Sequence, residues 1–316
     1  MPENAARRKH ILTDREEARG REAESSISDL QPRSISLVEF TQFQELIYRT
    51  AGIWLSHNKT ALLVGRLSKR LRTLGLNSFA GYYRVVSNDP QELTWMLDAI
   101  STNETRFFRE PAQFQFLEQR ILPQWCTEAE SGHRSRTIRV WSAGCSTGQE
   151  PYSLAMTLLY RLPPSSGWSI DITATDLSTR VLETAESATW DFSKAAEIPD
   201  HYLKAYMLRG FAEKKGQIKA GPEIRSLIRF FRLNLNEPKY PISGKFDLIF
   251  CRNLLIYFDL ESRARVIQRL VHHLSPNGFL FVGHAESLHA MSDLVRRVVP
   301  TIYAPVPPPE PESDAR

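Results

Sequence analysis

Between residues 36 and 100 the apolar positions recur at helical spacing. Phe40, Phe43, Leu46 and Ile47 line one face, Leu63, Leu67, Leu71 and Leu74 a second, and Leu93, Met96, Leu97 and Ile100 a third. The stretch predicts a small all-α domain. The period then changes. Ile138, Val140 and Trp141 have the β-branched and aromatic character of a strand. That strand ends in a small-residue turn, Ser142-Ala-Gly-Cys-Ser-Thr-Gly148, which opens into a helix with Pro151 in its first turn. Residues 170–176 alternate apolar and polar and predict a second strand ending at Asp176, followed by a helix over 178–186. Residues 190–233 interrupt the strand–helix rhythm. A tyrosine-rich run leads into Arg209-Gly-Phe-Ala-Glu-Lys-Lys-Gly216, then Gln217-Ile-Lys-Ala220, then Ile228-Arg-Phe-Phe-Arg-Leu233, which together predict a small antiparallel insertion. Phe246-Asp-Leu-Ile-Phe-Cys251 is a buried core strand. A helix over 260–274 and a strand over 278–283, joined by Ser275-Pro-Asn-Gly278, complete another crossover.

Strands alternating with helices build a parallel sheet, and such sheets bind ligands at the carboxyl ends of their strands. Gly144, Asp176, Arg252 and Gly283 all fall at such ends. Gly-x-x-x-Gly is by itself weak, since a scaffold turn has the same pattern. An acid at the tip of the second strand adds to it, because that position hydrogen-bonds ribose hydroxyls in nucleotide-binding units. With no Gly-x-Gly-x-x-Gly to cradle a pyrophosphate, a nucleoside cofactor such as S-adenosylmethionine fits better than a dinucleotide.

Two further stretches carry chemistry. In Ser101-Thr-Asn-Glu-Thr-Arg-Phe-Phe-Arg-Glu-Pro111, Asn103 and Thr105 offer short hydrogen-bonding side chains and Phe107 and Phe108 apolar walls, while Arg106 and Arg109 offer planar forks suited to carboxylates. A capping segment with solvated arginines is the alternative. On the second helix, Arg66, Lys69, Arg70 and Arg72 form a basic ridge beside the leucine stripe, either a solvated face or a site for an acidic substrate.

With 316 residues and 42% hydrophobic content, the chain has enough material for two compact domains. A net charge of +4 favours an acidic partner without implying nucleic acid. Cys126, Cys145 and Cys251 are odd in number and widely spaced, which indicates neither a disulfide framework nor a metal site and points to a reducing cytoplasm. No apolar run is long enough to span a bilayer. Residues 1–33 mix charges of both signs with few large apolar groups, and the proline-rich residues 305–316 predict an extended tail. The expected division is therefore a flexible extension (1–33), a helical domain (34–100), a linker segment with a helix (101–136), a catalytic domain (137–304) with its insertion at about 190–230, and the tail (305–316).

The sequence resembles the CheR-type chemoreceptor glutamate methyltransferases. The resemblance runs from about residue 36 to 303, through Thr102-Asn-Glu-Thr-Arg-Phe-Phe-Arg109, Ser142-Ala-Gly-Cys-Ser-Thr-Gly-Gln-Glu-Pro-Tyr-Ser153, Ala174-Thr-Asp176, Phe250-Cys-Arg-Asn-Leu-Leu-Ile-Tyr-Phe-Asp259 and Gly283-His-Ala-Glu-Ser287. It implies an α/β protein in which a Rossmann-like S-adenosylmethionine-dependent methyltransferase domain carries an N-terminal all-α domain and a small inserted antiparallel β-subdomain that docks receptor tails. It further implies cofactor contacts at Asn103, Thr105, Arg109, Glu150, Asp176, Asn234, Leu235, Arg252 and Asn253, with S-adenosylhomocysteine as product. Gln149 departs from the family, which usually repeats there the acid that Glu150 retains, and tuning is expected at that position. No repeat array or response-regulator domain is appended, which reads as a minimal enzyme, expected to be a cytoplasmic monomer.

Such a reaction needs no general base, because a glutamate with a pKa of about 4.3 is already ionised at neutral pH. It needs in-line approach. Arg109 can hold the acceptor carboxylate and the Tyr257 hydroxyl can orient it, although Tyr257 also suits an ordinary core position. Two other classes remain open at this point. A nucleic-acid methyltransferase would use the same crevice with the basic ridge on phosphates, and a non-enzymatic adaptor would retain only the fold.

Overall fold

The computed structural model describes residues 34–307. The expectations for 1–33 and for the tail beyond 307 lie outside the described residues. The chain divides into two compact units, one containing the described residues through Arg49 together with Leu55–Ile100, the other Thr50–Trp54 and the chain from Ser101 onward.

Four helices form the first unit: α1 (Leu37–Ala51), α2 (Thr60–Thr73), α3 (Phe79–Asn88) and α4 (Pro90–Ile100). Phe40, Phe43, Leu46, Ile47, Leu63, Leu67 and Leu71 are buried as their spacing requires, and Phe43 meets the rings of Phe79, Tyr82 and Tyr83. Leu74 departs from the stripe. It lies beyond the end of α2 and is exposed. The reason is the helix stop: Gly75 takes φ +67, its N–H bonds the Arg72 carbonyl, and the Leu76 N–H returns to the Leu71 carbonyl at 2.9 Å. This left-handed closure satisfies the last carbonyls and turns the chain before Leu74 can point inward.

In the second unit, α5 (Pro111–Phe116) runs through a wider turn at 117–121 into α6 (Leu122–Glu130). Then follow β1 (Thr137–Ala143), α7 (Gln149–Arg161), β2 (Ser169–Asp176), α8 (Thr179–Ser187), β3 (Thr189–Asp191), α9 (Asp200–Tyr206), β4 (Met207–Arg209), β5 (Gln217–Ala220), α10 (Pro222–Arg225), β6 (Ile228–Arg232), β7 (Phe246–Cys251), α11 (Leu260–His273), β8 (Leu274–Val282), β9 (Val295–Val299) and β10 (Ile302–Pro305). The main sheet has the order β6-β2-β1-β7-β8-β10-β9, parallel from β6 to β8, with β10 antiparallel to both neighbours. Alternate residues of β1 serve the two faces: Ile138 and Val140 enter one core, Trp141 and Ala143 the other. Strand order reverses between β1 and β7, and at such a point the loops diverge to opposite faces and leave a crevice. No helix among the described residues is long and apolar enough to cross a membrane.

The separate antiparallel sheet has the order β3-β5-β4. It is smaller than the pattern predicts. Residues 228–233, read as part of the insertion, instead supply β6, parallel to β2 from Ile172↔Ile228 to Asp176↔Arg232. An alternating strand has the same pattern in either sheet, and its distant partner decides. Likewise β8 begins at Leu274, so Ser275-Pro-Asn-Gly278 is strand with an irregular register against β7, not a linking turn.

Candidate functional site

The turn after β1 is drawn across the end of β2, where the Gly144 and Cys145 amides both donate to the Thr175 carbonyl, at 2.8 and 2.9 Å. Gly144 (φ +83) is required twice over, since a Cβ there would also stand 3.0 Å from Leu254 Cδ2. The Asp176 carboxylate accepts from Ser146 N at 2.8 Å and Ser178 N at 3.0 Å, which aligns it at the rim of the crevice. Ser146 Oγ donates to the Asn103 carbonyl at 2.8 Å and so ties segment 101–110 over the turn.

That segment is anchored by its aromatics. Phe107 and Phe108 are not walls of the crevice as predicted; both are core residues. The Phe107 ring meets Trp190 edge-on at 5.0 Å, the Phe108 ring stacks on Tyr202, and the Phe108 N–H donates to Ser153 Oγ on α7 at 3.0 Å. Two consecutive large apolar groups are held better by burial than at a wet rim. Ahead of these anchors Asn103 and Thr105 are half-buried and Arg106 is exposed, and Arg109, between the anchors and α5, is half-buried. Arg109 Nη1 donates to the Glu104 carbonyl at 3.1 Å.

Beneath them lies a buried charge cluster. The Arg252 guanidinium is 2% exposed, lies 3.2 Å from Glu150 Oε2 and 3.4 Å from Glu110 Oε2, and donates to the Arg109 carbonyl. Glu150, in the first turn of α7, also accepts from Ser142 Oγ at 2.7 Å. Burial pushes its carboxyl above the usual range, only partly opposed by Arg252. Glu110 takes φ +59 ahead of α5 and accepts from His284 N at 3.1 Å, but its Oε2 is buried without a hydrogen bond. One guanidinium therefore faces two carboxylates, with the exposed His284 ring 3.9 Å from Glu110 Oε2. A water-poor pocket with more carboxyl groups than guanidinium groups has capacity for a cation.

The remaining predicted residues lie in the loops after β6 and β7. Asn253 adopts φ +57 directly after Arg252. Tyr257 is half-buried, and its carbonyl accepts from Trp54 N at 2.9 Å, beside an antiparallel bridge between Ile53 and Phe258. Asn234 Nδ2 donates to the Thr50 carbonyl at 2.6 Å, so this amide binds segment 50–54. Leu235 is buried and its carbonyl accepts from the Tyr240 hydroxyl.

The basic ridge separates into two pairs. Arg70 grips Glu92 with both arms, Nε to Oε1 at 2.9 Å and Nη2 to Oε2 at 2.5 Å, and lies over the Trp95 ring. Tyr82 OH adds a bond to Glu92 at 2.8 Å, and the Arg70 guanidinium holds the Glu92 carboxyl below its ordinary range. Arg66 donates to the Ala99 and Ile100 carbonyls at the end of α4. Lys69 and Arg72 are exposed. A charged residue beside an apolar stripe looks the same in sequence whether it holds a neighbouring helix or faces water.

Sequence reasoning missed Glu110, Ser142 and Ser146, and assigned no role to Glu286. Glu286 and Glu110 are buried acids with backbone partners far along the chain, and periodicity carries no signal for such residues.

Residues 103–304 match the family described as "CheR methyltransferase, SAM binding domain", and residues 38–101 match "CheR methyltransferase, all-alpha domain". The chain is 38% identical over 271 residues to the chemotaxis protein methyltransferase 2 of Pseudomonas aeruginosa, covering 84% of this chain and 92% of that protein. It is 36% identical to the chemotaxis protein methyltransferase of Escherichia coli over 277 residues, 86% of this chain and 92% of that one. With the protein of the same name from Borreliella burgdorferi the identity is 36%, over 85% and 95%.

Proposed function

The chain belongs to the CheR methyltransferase family and is an S-adenosylmethionine-dependent methyltransferase, and we propose that its acceptors are glutamate side chains of bacterial chemoreceptors, methyl-esterified in sensory adaptation. The observation that carries the reading is the crevice at the sheet's switch point, where buried carboxylates outnumber the one buried guanidinium. The residues present fit the cofactor: the bare turn at Gly144 admits a close approach, Asp176 suits ribose hydroxyls, and Glu150 with the incompletely bonded Glu110 suits a ligand bearing sulfonium and ammonium charge.

Bound, the cofactor supplies a methyl group on positively charged sulfur. The chain's own residues do the rest. We assign Asn103, Thr105, Arg109, Glu150, Asp176, Asn234, Leu235, Arg252 and Asn253 to holding it, with Arg252 acting as a brace through Glu150 and Glu110, and Asn234 through segment 50–54. Arg109 is tethered by one arm to the Glu104 carbonyl, and the rest of its fork can orient an acceptor carboxylate. The Tyr257 hydroxyl limits rotation of that carboxylate. Withdrawal of both charges from water makes the approach productive.

Receptor recognition is assigned to Lys69 and Arg72, the exposed pair of the ridge. The β3-β5-β4 sheet is assigned to a receptor C-terminal tail peptide, supported by the edge position of β4 and by the exposed Leu208 and Phe211. An added peptide strand would complete that edge. The reading implies a monomer working in the cytoplasm.

Incubation with labelled S-adenosylmethionine and a soluble receptor cytoplasmic fragment should leave base-labile label on the receptor. Intact binding of S-adenosylhomocysteine without such label would remove the acceptor assignment. In the same preparation Asp176→Ala should weaken S-adenosylhomocysteine binding by about 1.5–3 kcal/mol, the worth of a charged hydrogen bond.

A further inference from the structure

The turn that follows β8 carries a carboxylate with no part in the chemistry above. Glu286 is 2% exposed, and its oxygens meet three backbone amides: Oε2 accepts from Gly283 N at 2.7 Å and Asn253 N at 2.8 Å, Oε1 from Ile256 N at 3.2 Å. A buried carboxylate is costly unless its lone pairs are used, and amide bonds to an anion are short and directional. What these bonds fix is the turn after β7. Asn253 sits at φ +57, a region that non-glycine residues seldom adopt, and 253–256 lead directly to Tyr257. Gly283 permits the contact, since a Cβ there would lie 2.5 Å from Asn253 Nδ2 and 2.9 Å from Asn253 N. The same turn reaches the other wall of the crevice, where His284 N donates to Glu110, the residue after Arg109. One short turn thus holds both segments assigned to the reaction.

We propose that Glu286 is a positioning residue for methyl transfer, setting the backbone of 253–256 and through it the Asn253 amide and the Tyr257 hydroxyl. The proposal rests on the roles given above to Asn253 and Tyr257. An isosteric glutamine cannot replace it. An amide has one acceptor oxygen, so it serves either the Asn253–Gly283 pair or Ile256 and turns its NH2 toward an N–H on the other side.

Hydrogen exchange tests the hold directly. In the wild-type protein the amides of Asn253, Ile256 and Gly283 should exchange as slowly as those of β8. Exchange at the rate of exposed loop amides would overturn the proposal, whatever happens to the variants. In Glu286→Gln, either Ile256 or the Asn253–Gly283 pair, whichever faces the new NH2, should exchange at least about tenfold faster while β7 and β8 keep their protection, and single-turnover methylation with saturating cofactor should slow about tenfold. Placed in a Tyr257→Phe background, Glu286→Gln should cost less than about threefold, because the two act on one event. Unchanged exchange and turnover in Glu286→Gln, a full additive loss in the double variant, or protection lost throughout the sheet would each sink the idea, the last by marking a merely structural role. Wild-type protein that labels no receptor counts against the acceptor reading alone, since the exchange measurement still decides whether Glu286 holds the loop.

Discussion

The helical unit and the catalytic unit each set an arginine against buried glutamate, with opposite electrostatic outcomes. Arg70 and Glu92 pair one to one, bidentate, with the Tyr82 hydroxyl adding a third bond to the carboxylate and the guanidinium still 25% exposed. Arg252 is 2% exposed, is shared between Glu150 and Glu110 at 3.2 and 3.4 Å, and leaves a buried carboxylate oxygen without a hydrogen bond. In the first cluster the bonds from Arg70 lower the acid's pKa; in the second, burial pushes Glu150 up and the shared Arg252 only partly opposes it. A complete pair is scaffold. An incomplete one, in a crevice at the sheet's switch point, fits the cofactor-holding role proposed for it.

The comparison breaks first at Arg252. Arg252→Met should strand Glu110 and Glu150 as unpaired buried acids and cost about 3–5 kcal/mol, read by denaturant unfolding. A loss below about 1 kcal/mol would mean that the carboxylates are already neutral or solvated, and the contrast would vanish.

Next is Arg109, which sits above the same cluster but is half-buried and assigned to the reaction. Arg109→Ala should slow single-turnover methylation about 100-fold, with Arg109→Lys recovering only part because an ammonium lacks the planar fork. Unfolding free energy should stay within about 0.5 kcal/mol. A near wild-type rate in Arg109→Ala would take the residue out of the mechanism.

Glu92→Gln should cost the helical unit about 1–2 kcal/mol through the lost charge-assisted bonds. Its pH signature is opposite to that of Glu150. Because Glu92 is lowered in the folded state, its contribution is fully present above the ordinary carboxyl pKa of about 4.3 and disappears as pH falls through the lowered value. Because Glu150 is raised, the folded state holds that proton more tightly, and its contribution is lost as pH rises from about 4.3 through the raised value. Acid melting curves should therefore flatten in Glu92→Gln, whereas Glu150→Gln should remove a decline on the other side. Parallel curves for the two variants would show that the clusters are electrostatically alike.

The smallest effect belongs to the exposed pair. Reversing Lys69 and Arg72 to Glu should leave stability within about 0.5 kcal/mol but lower the rate on receptor fragments a few-fold, more at low salt. Insensitivity at every ionic strength would return the pair to a solvated face.

Much of this was legible in the residues alone. The spacing of Phe40, Phe43, Leu63 and Leu67 marked the buried helical faces, and Gly144, Asp176 and Arg252 at the carboxyl ends of three strands marked one crevice, because periods of 3.6 and 2 and the demands of a tight turn are local properties of a chain. The pairing of elements distant in sequence was not legible. Only the folded chain could assign residues 228–232 to the main sheet, turn Arg66 and Arg70 inward while Lys69 and Arg72 stayed in water, and bring Glu286 against Asn253, 33 residues away. A strand's alternation and an arginine's charge are the same whichever partner they find. The partner is selected by desolvation and hydrogen bonding summed over the whole fold.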